Sequence, residues 1–395
     1  MRVWLLGVLC GVQASLPLRG WSGWTTYANS SLDCTPSKHC ISETLYNSVA
    51  NALINESYKW YHWIDIDDGW VSKERDSSGR LQADALRFPH GLDNLVSSVQ
   101  NKGFNLGVGI ELGATTCMGL PGSAGHLELD VQTIVAANVS RLLVYACSIP
   151  SATSSFYFQV STLWSIAQKY SPPLHLHCIF DKFDFNQSLV TPFCDVLQTY
   201  RVIKDDWADV KDRIKMLLAT PRNYTSLYPG GLVVGGYGLT LGQSRIQLGA
   251  WLLLHSSLII SLDLESISNA GRLLLQLPFV KLLGSHYSTP VSDPKMIASY
   301  DNGIQVWRRP FTEFVLLYIM RFEVHDPQYP IEMTFELSDM VGRTCDEAVL
   351  IDVLCDCKPK VIQYRFNLTI APLDASLIML DCGTQLLHYS EHELQ

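Results

Sequence analysis

Arg141-Leu142-Leu143-Val144-Tyr145-Ala146-Cys147 is the stretch on which the fold reading turns. Residues 142–146 form a short unbroken apolar run, the pattern of a strand buried on both faces. A helical pattern precedes it at 130–138 and another follows near 160–170. The same alternation continues outward in both directions. Residues 60–67 read as a strand, 91–102 as a helix, 106–112 and 174–180 as further strands. Repeated βα units require a parallel sheet, and their extent suits a (β/α)8 TIM barrel, typically about 250 residues. An open doubly wound sheet is the competing architecture, but no Gly-x-Gly-x-x-Gly follows the first strand.

Beyond residue 290 the pattern changes to successive strands with polar turns, at 303–308, 314–322, 331–337, 349–353, 361–370 and 376–380. This predicts a C-terminal antiparallel β-sandwich over 291–395, after a barrel over 16–290. Its four cysteines are Cys345, Cys355, Cys357 and Cys382, and their spacing leaves the pairing open.

At the N-terminus Arg2 precedes an apolar run over 3–12 and then small residues. That is a signal peptide, residues 1–15, with cleavage near Ala14 or Ser15. The run is well short of the roughly 20 residues a spanning helix needs. Of 11 cysteines Cys10 leaves with the leader, so an even set enters an oxidising compartment. Sequons at Asn29, Asn55, Asn138, Asn186, Asn223 and Asn367 point the same way. The apolar stretch 248–264 is interrupted by His255, Ser256, Ser257 and Asp263, and reads as buried barrel. A net charge of −9 without a basic stripe argues against nucleic acid. The mature chain is therefore expected to be a soluble glycoprotein of the secretory pathway, extracellular or lysosomal.

Several motifs lie along this frame. They are Gly20-Trp21-Ser22-Gly23-Trp24, Leu32-Asp33-Cys34, Cys40-Ile41-Ser42-Glu43 and Ile66-Asp67-Asp68-Gly69-Trp70. Next come Arg75-Asp76-Ser77-Ser78-Gly79-Arg80-Leu81-Gln82-Ala83-Asp84 and Arg87-Phe88-Pro89-His90-Gly91. Thr116-Cys117-Met118-Gly119-Leu120-Pro121-Gly122-Ser123 follows, with Val306-Trp307-Arg308-Arg309-Pro310 in the sandwich. Together they resemble glycoside hydrolase family 27, the α-galactosidases and α-N-acetylgalactosaminidases, over nearly the whole mature chain. Gly238-Leu239-Thr240 and Ser261-Leu262-Asp263-Leu264 fit that family's seventh-strand region. The resemblance implies a barrel plus sandwich, with a pocket at the C-terminal strand ends. It also implies retaining cleavage of terminal α-linked galactose or N-acetylgalactosamine by two carboxyl groups about 5 Å apart. Three disulfides are implied as well: Cys34–Cys40, Cys117–Cys147 and Cys178–Cys194.

The chain departs from the family where the chemistry should be. The family's nucleophile strand reads Leu-Leu-Lys-Phe-Asp-Gly-Cys, and its Asp falls on Ala146. No Asp or Glu occurs between Asp130 and Asp181, so no shift of register supplies one. The acid/base falls on Val202 when the spacing from Cys194 to Trp207 is kept; a second register, Arg201 with Asp205, retains an acid there. The family's substrate-contacting Cys-Glu-Trp becomes Cys178-Ile179-Phe180, and its Gly-Gly-Trp-Asn-Asp-Pro-Asp becomes Gly230-Gly231-Leu232-Val233-Val234-Gly235-Gly236. The Tyr after Gly-Ile becomes Gly109. Both halves of one family disulfide are gone, at Ser30 and Gly69. Asp67 and Asp68, with Trp21, are the surviving candidates for sugar contact; the two acids also suit a structural turn.

Leu174-His175-Leu176-His177-Cys178 places two histidines on one strand face, but structural zinc takes about four ligands. A strand is the favoured reading, with no metal and no cofactor. Asp181 and Asp184 are the only nearby acids available to replace the nucleophile, a role needing exact reach to the anomeric carbon. The sequence thus predicts an inactive family 27 homologue whose residual role is either glycan binding in the remnant pocket or protein interaction. A glycan or glycoprotein is the candidate ligand, and a homodimer is left open. The competing reading is an active retaining glycosidase with relocated carboxylates.

Overall fold

The computed structural model describes residues 17–27, 32–55, 58, 60–149, 154–180, 186–198, 203–219, 228–283, 290–322 and 329–383. The expected leader lies outside them. The N-terminal part alternates strand and helix. It runs β1 (Arg19–Ser22), α1 (Trp24–Tyr27), α2 (Glu43–Asn55), β2 (Trp63–Ile66), α3 (Gly91–Gln100), β3 (Asn105–Glu111) and α4 (Leu127–Ala136). It continues with β4 (Arg141–Tyr145), α5 (Ser154–Ala167), β5 (His175–Ile179), β6 (Val196–Gln198), α6 (Trp207–Ala219), α7 (Leu241–Leu253), β7 (Leu258–Ile260), α8 (Asn269–Gln276) and α9 (Pro278–Leu283). The seven strands form one parallel sheet in the order β6-β5-β4-β3-β2-β1-β7.

Segment 228–232 bridges the edges of that sheet. Tyr228 N–H donates to the Leu197 carbonyl beside β6, and Leu232 N–H donates to Ile259 in β7. Leu232 also pairs with Ile260 as a single parallel bridge. The seventh rung of the (β/α)8 barrel is therefore this short segment. Gly238-Leu239-Thr240 follows this rung into α7, which Thr240 N-caps, while Ser261-Leu262-Asp263-Leu264 follows the closing strand β7, one rung later than expected.

Local patterning explains the elements. Every residue of β4 is buried between β3 and β5, Leu142 to Tyr145 as an apolar run and Arg141 in a pair with Asp65. Helix α3 buries Leu92, Leu95, Val96 and Val99, one stripe at helical spacing. Helix α7 opens with a capping box between Thr240 and Gln243 and is buried almost all round.

The C-terminal part contains β8 (Lys295–Ser299), β9 (Ile304–Pro310), β10 (Val315–Arg321), β11 (Ile331–Glu336), α10 (Leu337–Val341), β12 (Glu347–Asp352), β13 (Lys360–Gln363), β14 (Arg365–Ile370) and β15 (Asp374–Asp381). A six-stranded antiparallel sheet, β13-β12-β15-β10-β9-β8, faces a two-stranded one, β11-β14. Strand β10 is buried throughout. Leu316, Tyr318 and Met320 join the barrel-side core, while Val315, Leu317 and Ile319 point into the core between the sheets. The expected single strand over 361–370 is two, broken at Tyr364, whose φ of +58° passes the chain from one sheet to the other.

Candidate functional site

Side chains at the C-terminal ends of the barrel strands are set by ladder register. Glu111 lies beside Tyr145, Tyr145 beside Ile179, and Ile179 beside Gln198. Asp65 lies beside Ser22, with Asp67 two residues further along the chain. Tyr145, Ile179, Gln198, Asp65, Asp67 and Ser22 line a cavity of about 20 Å³ with Trp24, Thr25, His177, Ile203, Tyr228, Gly231 and Ser261. That is room for one water or so. A neighbouring cavity on the Asp68 and Glu111 side measures about 10 Å³.

A buried ion pair lies inside the barrel. Arg141 donates to the Asp65 carboxylate, and both are buried. Residue 107 must be glycine to leave room, since a Cβ there would lie 2.6 Å from Asp65 Oδ1 and 2.8 Å from Arg141 Nε. Arg141 also lies over the Trp63 ring, 4.2 Å from its centroid. His177 is fully buried, and neither ring nitrogen has a partner among the described residues. Burial, with Arg141 nearby, pushes its pKa well below the usual imidazole range.

Both oxygens of Asp67 are engaged. Ser22 Oγ donates to Oδ2 at 2.8 Å and the Tyr145 hydroxyl donates to Oδ1 at 2.7 Å. Burial, and then the nearby Asp65 charge, push its pKa up to about 7. Asp68 accepts from its neighbour's N–H at Gly69 (2.5 Å) and from Met118 N–H (2.8 Å), so it fixes the turn after β2. Trp21 is fully buried, and its indole N–H donates to the Leu262 carbonyl at 2.8 Å. It offers no face to a ligand, which corrects its expected sugar contact: Trp21 is a core residue.

Ala146 directly follows β4, half-buried and packed against the barrel core. The acid at this level is Glu111, which the sequence reading did not single out. Its carboxylate accepts from the backbone N–H of Gly113 (2.9 Å) and Cys147 (3.0 Å), and so secures the turn after Ala146. Its cue in the sequence was position alone, at the end of a strand. Glu111, Cys117 and Cys147 are the one group of three potential metal ligands among the described residues. The two cysteines are bonded to each other, which leaves a single ligand.

Val202, Asp181 and Asp184 lie outside the described residues. Asp205 lies just before α6, where its carboxylate meets the backbone N–H groups of Gly238 and Tyr237, and burial raises its pKa. Gly236 leaves it room, since a Cβ there would collide with the carboxylate. Asp205 does not line the cavity around Asp67, whereas Ile203 does. The seventh-rung segment is equally apolar: Leu232, Val233 and Val234 are fully buried.

The structure pairs Cys34 with Cys40, Cys117 with Cys147, Cys178 with Cys194, Cys345 with Cys382 and Cys355 with Cys357. Of the sequons, Asn138, Asn186 and Asn367 are exposed, and Asn55 ends α2. Asn29 and Asn223 lie outside the described residues. No helix among the described residues is long and apolar enough to cross a membrane.

A family model described as Alpha galactosidase A (Melibiase_2) matches residues 16–281. The chain is 29% identical to human alpha-galactosidase A over 94% of its own length and 90% of that protein. It is 30% identical to human alpha-N-acetylgalactosaminidase over 67% of each chain. Among solved structures, alpha-galactosidase I from Mortierella vinacea superposes with a TM-score of 0.78 at 18% identity, covering 93% of this chain and 97% of that one. The chain belongs to glycoside hydrolase family 27, the family of α-galactosidase A and α-N-acetylgalactosaminidase.

Proposed function

We propose that this member of the family is a secretory-pathway glycoprotein that has lost glycosidase chemistry. One observation carries the reading: Ala146 directly follows β4, where the family's nucleophile falls, and Ile179, beside Tyr145 on β5, is aliphatic. Retaining hydrolysis needs two carboxyl groups about 5 Å apart, and a methyl group offers no lone pair to the anomeric carbon. The narrow cavity supports the same view, because pockets for small ligands run to about 300 Å³ or more. Of the two residual roles, glycan binding in the remnant pocket and protein interaction, the engaged oxygens of Asp67 and Asp68 favour the second.

The test is an assay of the purified glycoprotein on chromogenic α-galactoside and α-N-acetylgalactosaminide, with human α-galactosidase A alongside. The expected rate is that of the blank. Turnover that disappears in Asp205→Asn or Asp67→Asn overturns the proposal in favour of relocated carboxylates. A glycan array separates the residual roles: binding lost in the Asp67→Asn, Asp68→Asn double variant would restore the lectin reading.

A further inference from the structure

The antiparallel part carries two disulfides with different consequences. Cys345–Cys382 spans a sequence separation of 37 and joins the approach to β12 with the end of β15. Cys355–Cys357 spans a separation of 2, within the connection from β12 to β13. The entropy a bridge removes from the unfolded chain grows with the length of the loop it closes. A three-residue ring therefore contributes little to the fold, and by the same linkage the fold does little to hold it closed. Strands β12 and β13 are already joined by their own ladder, Glu347 to Gln363 through Leu350 to Lys360.

Access complements this. Cys357 is exposed. Cys355 is half-buried and lines an open cleft of about 380 Å³ with Asp352, Asp356, Thr369 and Ser376. Its N–H donates to the Asp352 carbonyl, which keeps the turn in place whichever state the sulfurs are in. Cys117 is exposed too, but its bridge closes a separation of 30 and sits in the turn secured by Glu111. Exposed bridges that do not hold a fold together are the ones thiols open.

We propose that Cys355-Asp356-Cys357 is a thiol–disulfide exchange site, independent of any activity in the barrel. Its reactant is a thiol, supplied by glutathione or by a cysteine of another protein. The incoming thiolate attacks Cys357 Sγ from solvent, forming a mixed disulfide there and breaking the bond to Cys355. Cys355 leaves as a thiolate on the cleft side and takes up the proton the incoming thiol gave up. A second thiol then attacks the mixed disulfide, releasing the oxidised thiol dimer and the Cys357 thiol. Two thiols are oxidised and one protein disulfide is reduced.

The full chain, equilibrated in graded glutathione buffers, is quenched with acid and alkylated. The surviving bridges are then reduced and tagged with a second reagent for peptide mass spectrometry. Cys355 and Cys357 should open at a reducing ratio about tenfold milder than Cys117 and Cys147, with the circular dichroism spectrum unchanged. Opening only together with the other bridges overturns the proposal. In parallel, Cys355→Ser leaves Cys357 to trap its partner, offered as oxidised glutathione or as the disulfide of a short single-cysteine peptide. An adduct with one alone identifies the source, and adducts with both support the shared chemistry. No adduct with either overturns it.

Discussion

Asp67 is an acid that the fold keeps protonated over part of the ordinary pH range. Burial raises its pKa to about 7, against about 3.9 for an unfolded aspartate. Between those values the folded state binds more protons than the unfolded one, so this group's contribution to stability falls as pH rises through that window. Its penalty is absent below about pH 4 and complete above about pH 7. Asp67→Asn removes the ionisation and keeps an oxygen to accept from Tyr145, while its amide can donate to Ser22 Oγ. The variant should therefore gain a few degrees in Tm relative to the parent at pH 7.5, and little or nothing at pH 4.5. Thermal melts at the two pH values check this, and an equal loss at both would show that the charge is welcome where it stands. At this scale the sequence disclosed substitutions better than contacts. An alanine or isoleucine at a strand end is legible without coordinates, because no environment makes it a nucleophile. The Tyr145–Asp67 bond joins residues 78 apart, and the burial of Trp21 depends on which side of β1 faces the helices. Neither is written in local spacing.

Strands and helices were legible where burial imposes a period. The runs over 142–146 and 106–112 became β4 and β3 within a residue, and the stripe of α3 fell on its buried face. Three features escaped for physical reasons. Strand β8 is a half-exposed edge, so its composition lacks an apolar signature. The seventh rung is one bridge at Leu232, too short for any period. The break at Tyr364 depends on a left-handed backbone that an aromatic residue does not advertise. Disulfide pairing in the antiparallel part was likewise closed to sequence, and it supports a prediction about elements. Cys345–Cys382 closes a long loop, and the chain-entropy estimate for such a loop is about 4 kcal/mol. The double variant Cys345→Ala, Cys382→Ala should lose about 2 to 4 kcal/mol in urea unfolding, since native relaxation offsets part of that entropy. Loss of the Cys355–Cys357 pair should cost far less. Equal losses for the two would mean that both bridges hold the sheet.

At the scale of the molecule, α7 decides whether barrel and sheets behave as one body. It packs on β10 and β15, where the Tyr318 hydroxyl donates to the Ile246 carbonyl at 2.7 Å and Arg245 pairs with Asp374. Its other faces belong to the barrel: Trp251 donates to Gly230 and Gln247 accepts from Val233. The contact with the sheet is close because two glycines, seven residues apart, lie on one side of the helix. A Cβ on Gly242 would sit 2.5 Å from the Leu373 carbonyl, and one on Gly249 would sit 2.7 Å from the Tyr318 ring. Alanine in a helix is ordinarily favoured over glycine by about 1 kcal/mol. At Gly249 the sign should reverse. Tyr318 is fully buried and pinned by its hydroxyl, so the ring cannot swing aside, and overpacking of this kind costs about 1 to 3 kcal/mol. Gly249→Ala should lower Tm while leaving unfolding as one calorimetric transition, because the same helix completes both cores. A rise in Tm would mean that the sheet shifts freely on α7. Two resolved transitions would mean that the barrel stands without the sheets, and that the antiparallel part is an independent passenger on it.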